Sequence, residues 1–319
     1  MFEPLLAVIA GFVALIWSAD TFITGAASIA RHWGMSKLLI GLTVVAFGTS
    51  APEIMVSLSA SLAHSGNLAV GNAIGSNIAN VGLVLGMTAL IAPIPVRSQL
   101  IKAELPILLM VMGLAGYVLI DQRLNLLDSL LLLAALAAFL LYLFQQQSHG
   151  DSLESSEESI DELSSLNLPK AIGYFIAGLV VLLGSAELLV WGAQHIARAL
   201  GVSELFIGLT VIALGTSLPE LATSAFSAMR GQHEIAFGNI IGSNIFNLLA
   251  VMAAPGLTGG TNLDDAVFYR DYFVMLLISM LWIIMMNIAV ARGKAFSRPM
   301  GLLLLLGYAA YYSLLYQQH

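Results

Sequence analysis

The sequence predicts an all-α polytopic membrane protein: ten transmembrane helices in two inverted repeats of five, with helices 2, 3, 7 and 8 broken or kinked around a central polar site. Three observations predict it: a composition too apolar for water, ten runs of bilayer length, and an internal repeat spaced by an odd number of spans. The 319 residues are 59% hydrophobic and 10% charged, with a mean hydropathy of +0.90. Soluble domains carry roughly 25% charged residues, so a chain this apolar has lipid as its solvent. It holds no cysteine, which excludes disulfides and thiolate metal sites. The N-terminal stretch MFEPLLAVIAGFVALIWSAD lacks a basic n-region and a small-residue cleavage site, so it reads as a retained first span.

A helix crosses the hydrocarbon layer with about 20 residues. Apolar runs of that length lie near 4–29, 37–63, 68–93, 101–120, 125–146, 170–197, 203–228, 235–256, 270–291 and 299–317. Five precede and five follow the stretch 148–168. That stretch holds Asp151, Glu154, Glu157, Glu158, Asp161 and Glu162 and no Lys or Arg. The net charge is −7, so the rest of the chain is near −1 (−7 + 6), and the acidity marks one linker. Its Ser/Glu-rich make-up is that of a flexible tether, without the spacing of an EF-hand. The chain therefore divides into a first five-helix repeat (1–147), an acidic linker (148–168) and a second, inverted repeat (169–319).

Arg31, Lys37, Arg97, Lys102, Lys170, Arg230, Arg292, Lys294 and Arg298 fall in alternate connections; only Arg123, Arg198 and Arg270 fall in the others. The positive-inside bias then puts both termini outside and the linker in the cytoplasm, as expected of a multi-pass protein of a cell inner membrane. The aromatic tail YYSLLYQQ (311–318) reads as an interface belt.

A shift of 167 residues aligns GLTVVAFGTSAPEIMVS (41–57) with GLTVIALGTSLPELATS (208–224), 11 of 17 identical, and GNAIGSNIAN (71–80) with GNIIGSNIFN (238–247), 8 of 10 identical. It also pairs Asp20 with Glu187. Because each half has five spans, the second enters the membrane the opposite way up, the plan of secondary transporters. Pro52 and Pro219 lack an N–H and should free the carbonyls of Gly48 and Gly215, breaking spans 2 and 7. A kink alone leaves Glu53 and Glu220 unexplained, since a mid-membrane carboxylate costs at least ~2.5 kcal/mol on insertion scales. Thr49, Ser50, Thr216 and Ser217 flank them, and spans 3 and 8 add Ser76, Asn77 and Asn80, and Ser243, Asn244 and Asn247. These hard oxygen donors suit Ca²⁺ and Na⁺ rather than Zn²⁺ or Cu⁺. Two carboxylates balance one Ca²⁺ or two Na⁺, a physical basis for exchange. Gly71, Gly75, Gly238 and Gly242 are expected to let helices approach closely.

The paired GTS-x-PE and GN-x-IGSNI-x-N motifs resemble the α-repeats of the sodium/calcium exchanger family, within the calcium:cation antiporter superfamily, and the likeness covers the whole ten-span plan. The resemblance implies that spans 2, 3, 7 and 8 enclose the ions and that spans 1 and 6 slide against that core. It implies Glu53 and Glu220 as shared Ca²⁺/Na⁺ ligands, with oxygens from Thr49, Ser50, Thr216, Ser217, Ser76 and Ser243, the backbone carbonyls of Ala46 and Ala213, and Asn80 and Asn247 completing the ring. Several relatives, including potassium-dependent exchangers, carry Asp where this chain has Asn247, which leans against K⁺ dependence. Proton-coupled relatives carry GN-x-x-E where this chain has Gly75 and Gly242, which favours Na⁺ as the driving ion. Exchange of three Na⁺ for one Ca²⁺, usual in the family, moves one net charge, and the membrane potential then adds ~2.3 kcal/mol per 100 mV.

The expected function is a Na⁺/Ca²⁺ antiporter working by alternating access, not an enzyme, with Ca²⁺ and Na⁺ as substrates, the bilayer as its setting, no further cofactor, no nucleic-acid partner, and a monomer as the working unit. Ca²⁺/H⁺ exchange is the alternative. A serine protease needs a base beside its nucleophile, and no His falls in the GTS or GSN segments. A passive channel does not call for duplicated broken helices. Asp20 and Glu187 read either as access-path residues or as interfacial acids with partners.

Overall fold

The computed structural model describes residues 2–96, 98–148, 166–201 and 213–317. The linker acids and the start of the expected seventh span, 203–212, lie outside the described residues. Among the described residues seven helices are long and apolar enough to cross a membrane: Phe2–His32, Gly66–Ile91, Lys102–Leu119, Leu126–Gln146, Leu168–Ala199, His233–Leu257 and Val267–Ala291. The interrupted pair Lys37–Thr49 and Ala51–Leu62 makes an eighth. Ten remains the expectation from sequence. Side chains such as Phe2, Leu127, Phe144 and Leu277 are at least 70% exposed, as an apolar belt facing lipid requires.

In chain order the helices are α1 (Phe2–His32), α2 (Lys37–Ile40), α3 (Ala46–Thr49), α4 (Ala51–Leu62), α5 (Gly66–Ala79), α6 (Gly86–Ile91), α7 (Ser98–Leu119), α8 (Leu126–Ser148), α9 (Leu168–Ala199), α10 (Ala213–Thr216), α11 (Leu218–Met229), α12 (His233–Phe246), α13 (Ala254–Leu257), α14 (Phe273–Ala291) and α15 (Arg298–Gln317). Among the described residues four π-helical segments interrupt them, at Gly41–Val45, Asn80–Leu85, Asn247–Val251 and Val267–Tyr272. Two of the four, at Asn80 and Asn247, begin 167 residues apart, so the repeat extends to an irregularity of backbone. Such π-bulges concentrate at functional sites.

The chain packs as two compact bodies. One comprises Met1–Thr49 with Tyr142–Asn239. Its core joins Leu15, Ala19, Phe22, Ala26 and Ile29 of α1 to Ala171, Leu182 and Ala186 of α9. Small residues let these two helices touch backbone to backbone. A Cβ on Gly25 would lie 2.4 Å from the Phe175 nitrogen, and one on Gly178 would lie 2.6 Å from the Phe22 nitrogen. The same body crosses Gly41 with Gly238: a Cβ on Gly238 would lie 2.6 Å from the Leu38 carbonyl oxygen. Gly238 thus has the close-approach role expected of it. Gly71 and Gly75 do not, because a Cβ on either meets nothing within 4 Å. Identical letters in the two motifs face different surroundings.

The other body comprises Ser50–Leu141 with Ile240–His319. Here Gly82, Gly86 and Gly301 admit α15 against α6 and the segment Asn80–Leu85. The aromatic tail differs from expectation at one residue. Tyr311 is buried, and its hydroxyl donates to Asp271 Oδ1 at 2.9 Å, because Asp271, itself bound to Arg270, needs a buried donor.

Within each body, connections are tied to one another. Strand β1 (Arg123–Leu124) pairs antiparallel with β2 (Thr261–Asn262), and Asn67 Oδ1 accepts from the Asp264 N–H at 2.9 Å. These join connections placed on the Lys/Arg-poor side. Ile94 bridges Phe296, and a His32 ring nitrogen bonds the Leu166 carbonyl at 2.7 Å, joining connections on the rich side.

Candidate cation site

Each acid of the duplicated motif sits just after a break. Proline cannot occupy a helix interior without losing a bond but is accepted in the first turn. Accordingly α3 ends at Thr49, Ser50 adopts φ −81° and ψ 7°, and α4 starts with Pro52 in its first turn. In the second repeat α10 ends at Thr216, Ser217 adopts φ −87° and ψ 1°, and α11 starts with Pro219 in its first turn. The prolines therefore begin new helices, the break expected at each of them. Glu53 and Glu220 then fall in the first turn, where the positive end of the helix dipole favours a carboxylate. Both are 1% exposed.

One hydrogen-bond pattern fixes both acids. Asn72 Nδ2 donates to the Glu53 carbonyl at 3.1 Å and to Ser57 Oγ at 3.0 Å. Asn239 Nδ2 donates to the Glu220 carbonyl at 3.5 Å and to Ser224 Oγ at 3.0 Å. Every member of the second set is the first plus 167. These asparagines, the N of each GN, pin the acid-bearing helix to the next one. Residue type alone does not announce this role, although the shift that aligns the motifs pairs the two asparagines.

The body containing Glu220 also holds Ala46, Thr49, Thr216 and Ser217. Thr49 Oγ1 donates to Asn239 Oδ1 at 3.0 Å and lies 3.3 Å from the Ala46 carbonyl. Residues of both repeats therefore meet there. Thr49 and Ser217 are buried, and Thr216 is half-buried. Ala213 opens α10; its side chain is not among those described.

The body containing Glu53 also holds Ser50, Ser76, Asn80, Ser243 and Asn247, all buried. Here α4 and α5 both pack on the π segment that opens at Asn247. Asn77 Nδ2 donates to the Asn244 carbonyl at 3.1 Å, a contact between equivalent residues of the two repeats. Several buried oxygens keep an unused lone pair: Ser217 Oγ, Ser243 Oγ, Asn244 Oδ1 and Asn247 Oδ1 have no hydrogen-bond partner among the described residues. A buried polar atom left unsatisfied costs about 1–3 kcal/mol; Ser217 belongs to the other body, and Ser243, Asn244 and Asn247 to this one. Among the described residues no cluster of three or more His, Cys, Asp or Glu occurs; each body holds one motif carboxylate amid neutral oxygens.

Residues 3–145 and 170–317 match the family model described as sodium/calcium exchanger protein. The chain belongs to the sodium/calcium exchanger family. This exchanger is 38% identical to the inner membrane protein YrbG of Escherichia coli over 97% of its own length and 95% of that protein's. It is 29% identical to the sodium/calcium exchanger MaX1 of Methanosarcina acetivorans, over 96% of each chain. Its fold superposes on the sodium-calcium exchanger NCX_Mj soaked with zero Na⁺ and Ca²⁺, with a TM-score of 0.82, 33% identity and 98% of each chain covered.

Proposed function

We propose that this exchanger is a secondary antiporter that moves Na⁺ and Ca²⁺ in opposite directions by alternating access, with both termini outside the cell and the acidic linker in the cytoplasm. One chain carries both acids and both motif pairs, so the working unit is a monomer in the lipid bilayer. Glu53 and Glu220 share the ions. Thr49, Ser50, Thr216, Ser217, Ser76, Ser243, Asn80 and Asn247 supply neutral oxygens, joined by the Ala46 and Ala213 carbonyls. No cofactor beyond the transported ions takes part.

The observation that carries this reading is the duplicated pin. Two buried acids, each in the first turn after a break, are each held through the acid's own carbonyl by an asparagine of the next helix. Burying two carboxylates serves no purpose in packing, since each costs at least ~2.5 kcal/mol at membrane depth. Two negative charges balance one Ca²⁺ or two Na⁺, so occupancy by one cation set excludes the other. Oxygen donors without a thiolate or imidazole select hard cations.

Uptake of radiolabelled Ca²⁺ into proteoliposomes preloaded with Na⁺ tests the reading, against matched vesicles carrying only a pH gradient. Uptake driven by outward Na⁺ is expected. Uptake on the pH gradient alone would replace Na⁺ by H⁺ as the coupling ion. Uptake without any gradient, unchanged in Glu53→Gln, would make the protein a channel.

A further inference from the structure

Helices α1 and α9 are locked to each other by a symmetric set of glycines. A Cβ on Gly11 would lie 2.9 Å from Leu189, and one on Gly178, its equivalent at +167, 2.6 Å from the Phe22 nitrogen. A Cβ on Gly25 would lie 2.4 Å from the Phe175 nitrogen, and one on Gly192, again at +167, 2.7 Å from the Pro4 carbonyl oxygen. Backbone against backbone at four points leaves little room for one helix to slip along the other, so the pair moves as one body.

That body has an ionic tie to a helix carrying a site acid. Arg230 caps the C-terminal end of α11, whose first turn holds Glu220. Its Nη2 lies 2.8 Å from Asp20 Oδ1 on α1. The Asp20 side chain is 37% exposed and that of Arg230 is 47% exposed. Asp20 lies within an apolar helix, between the exposed Ile16 and Trp17 and the buried Phe22 and Ile23. A lone charge in such surroundings is strongly disfavoured, so each partner holds the other in place.

The repeat does not reproduce this tie. Asp20 corresponds to Glu187, but Arg230 corresponds to Ala63, and an acid makes no ion pair with a methyl group. In an inverted repeat the two facing states exchange the roles of the two halves. A contact between the halves that has no counterpart under the repeat therefore adds its free energy to one facing state alone.

We propose that the Asp20–Arg230 pair is a one-sided tether that biases the exchanger toward one facing state; this rests on the alternating-access reading above. Asp20 and Arg230 are positioning residues that act on ion affinity only through the balance of states. Because apparent affinity on a face scales with the fraction of protein open to it, losing the tether raises affinity on one face and lowers it on the other.

The test measures half-saturating Ca²⁺ on each face separately, in right-side-out and inside-out vesicles, for the full chain and its Asp20→Asn and Arg230→Gln variants. The two constants are expected to move in opposite directions by about two- to three-fold, and the swap Asp20→Arg with Arg230→Asp to return both toward wild type. Shifts of the same sign on both faces, or none, overturn the tether. A second experiment uses the absence of native cysteines. A bifunctional thiol linker across Asp20→Cys and Arg230→Cys should stop transport, and free transport after linking overturns the proposal. If wild-type protein shows no Na⁺-driven uptake at all, the exchange reading fails instead, and the two failures are distinguished.

Discussion

Helices α5 and α12 carry nearly the same motif, yet one is open where the other is closed. On α5, Gly71, Asn72 and Gly75 are half-exposed, and a Cβ on either glycine meets nothing within 4 Å among the described residues. On α12, Gly238 and Asn239 are buried, with the Leu38 carbonyl and the Leu42 nitrogen closing over Gly238. What stays constant is the inward work: each asparagine bonds the carbonyl of its acid and a serine four residues further on. The duplication thus keeps the asparagine pin and lets the surroundings differ.

The largest effect should ignore that asymmetry. Under the proposed function Glu53→Gln and Glu220→Gln each remove one of the two charges that would hold the cations, and losing one partner of a buried pair costs ~3–5 kcal/mol. Each is expected to reduce Na⁺-driven Ca²⁺ uptake by more than about 100-fold, with protein amount and melting temperature in detergent near wild type. A variant of either acid that retained a tenth of the activity would show that the two halves do not share the ions equally.

Much of this was legible in the sequence because the relevant physics is local. Proline's exclusion from helix interiors located the breaks before Glu53 and Glu220, and the 167-residue shift marked the same hydrogen-bond pattern at both acids. What stayed hidden depends on distant partners. The bonds from Asn72 to Glu53 and from Asn239 to Glu220 span 19 residues and end on backbone carbonyls, which no letter announces. The π segments at Asn80 and Asn247 change the helical repeat over five or six residues, too few to alter hydrophobic periodicity. Gly71 and Gly238 are the same letter in the same motif, and only their neighbours separate them. Asp20 admits two readings from sequence because its partner lies 210 residues on.

The next effect breaks the comparison directly. Gly238→Ala places a methyl against three backbone atoms within 2.9 Å, which cannot move as a side chain end can. Overpacking of this kind costs ~1–3 kcal/mol, read as a lower melting temperature with loss of uptake. Gly71→Ala enters open space, and alanine favours a helix over glycine by ~0.5–1 kcal/mol, so that variant should melt no lower than wild type. Equal penalties at both sites would mean that the two motif helices are packed alike after all.

The smallest effect sharpens the comparison at the asparagines. Asn72 is half-buried and makes two bonds, so water can replace part of what Asn72→Ala removes. Asn239 is fully buried, and its Oδ1 also accepts from Thr49. Truncation there removes the bonds to the Glu220 carbonyl, the Ser224 hydroxyl and the Thr49 hydroxyl at a buried position where water does not replace them. With each net hydrogen bond worth about 1 kcal/mol, Asn239→Ala should raise half-saturating Ca²⁺ about ten-fold and Asn72→Ala about three-fold. Asn239→Asp separates the two functions of the side chain: it keeps an acceptor for Thr49 but loses the donor to the Glu220 carbonyl. If pinning the acid is what matters, Asn239→Asp behaves like Asn239→Ala; if the link to Thr49 matters more, it behaves like wild type, and the asymmetry between the halves lies in the threonine rather than in the burial.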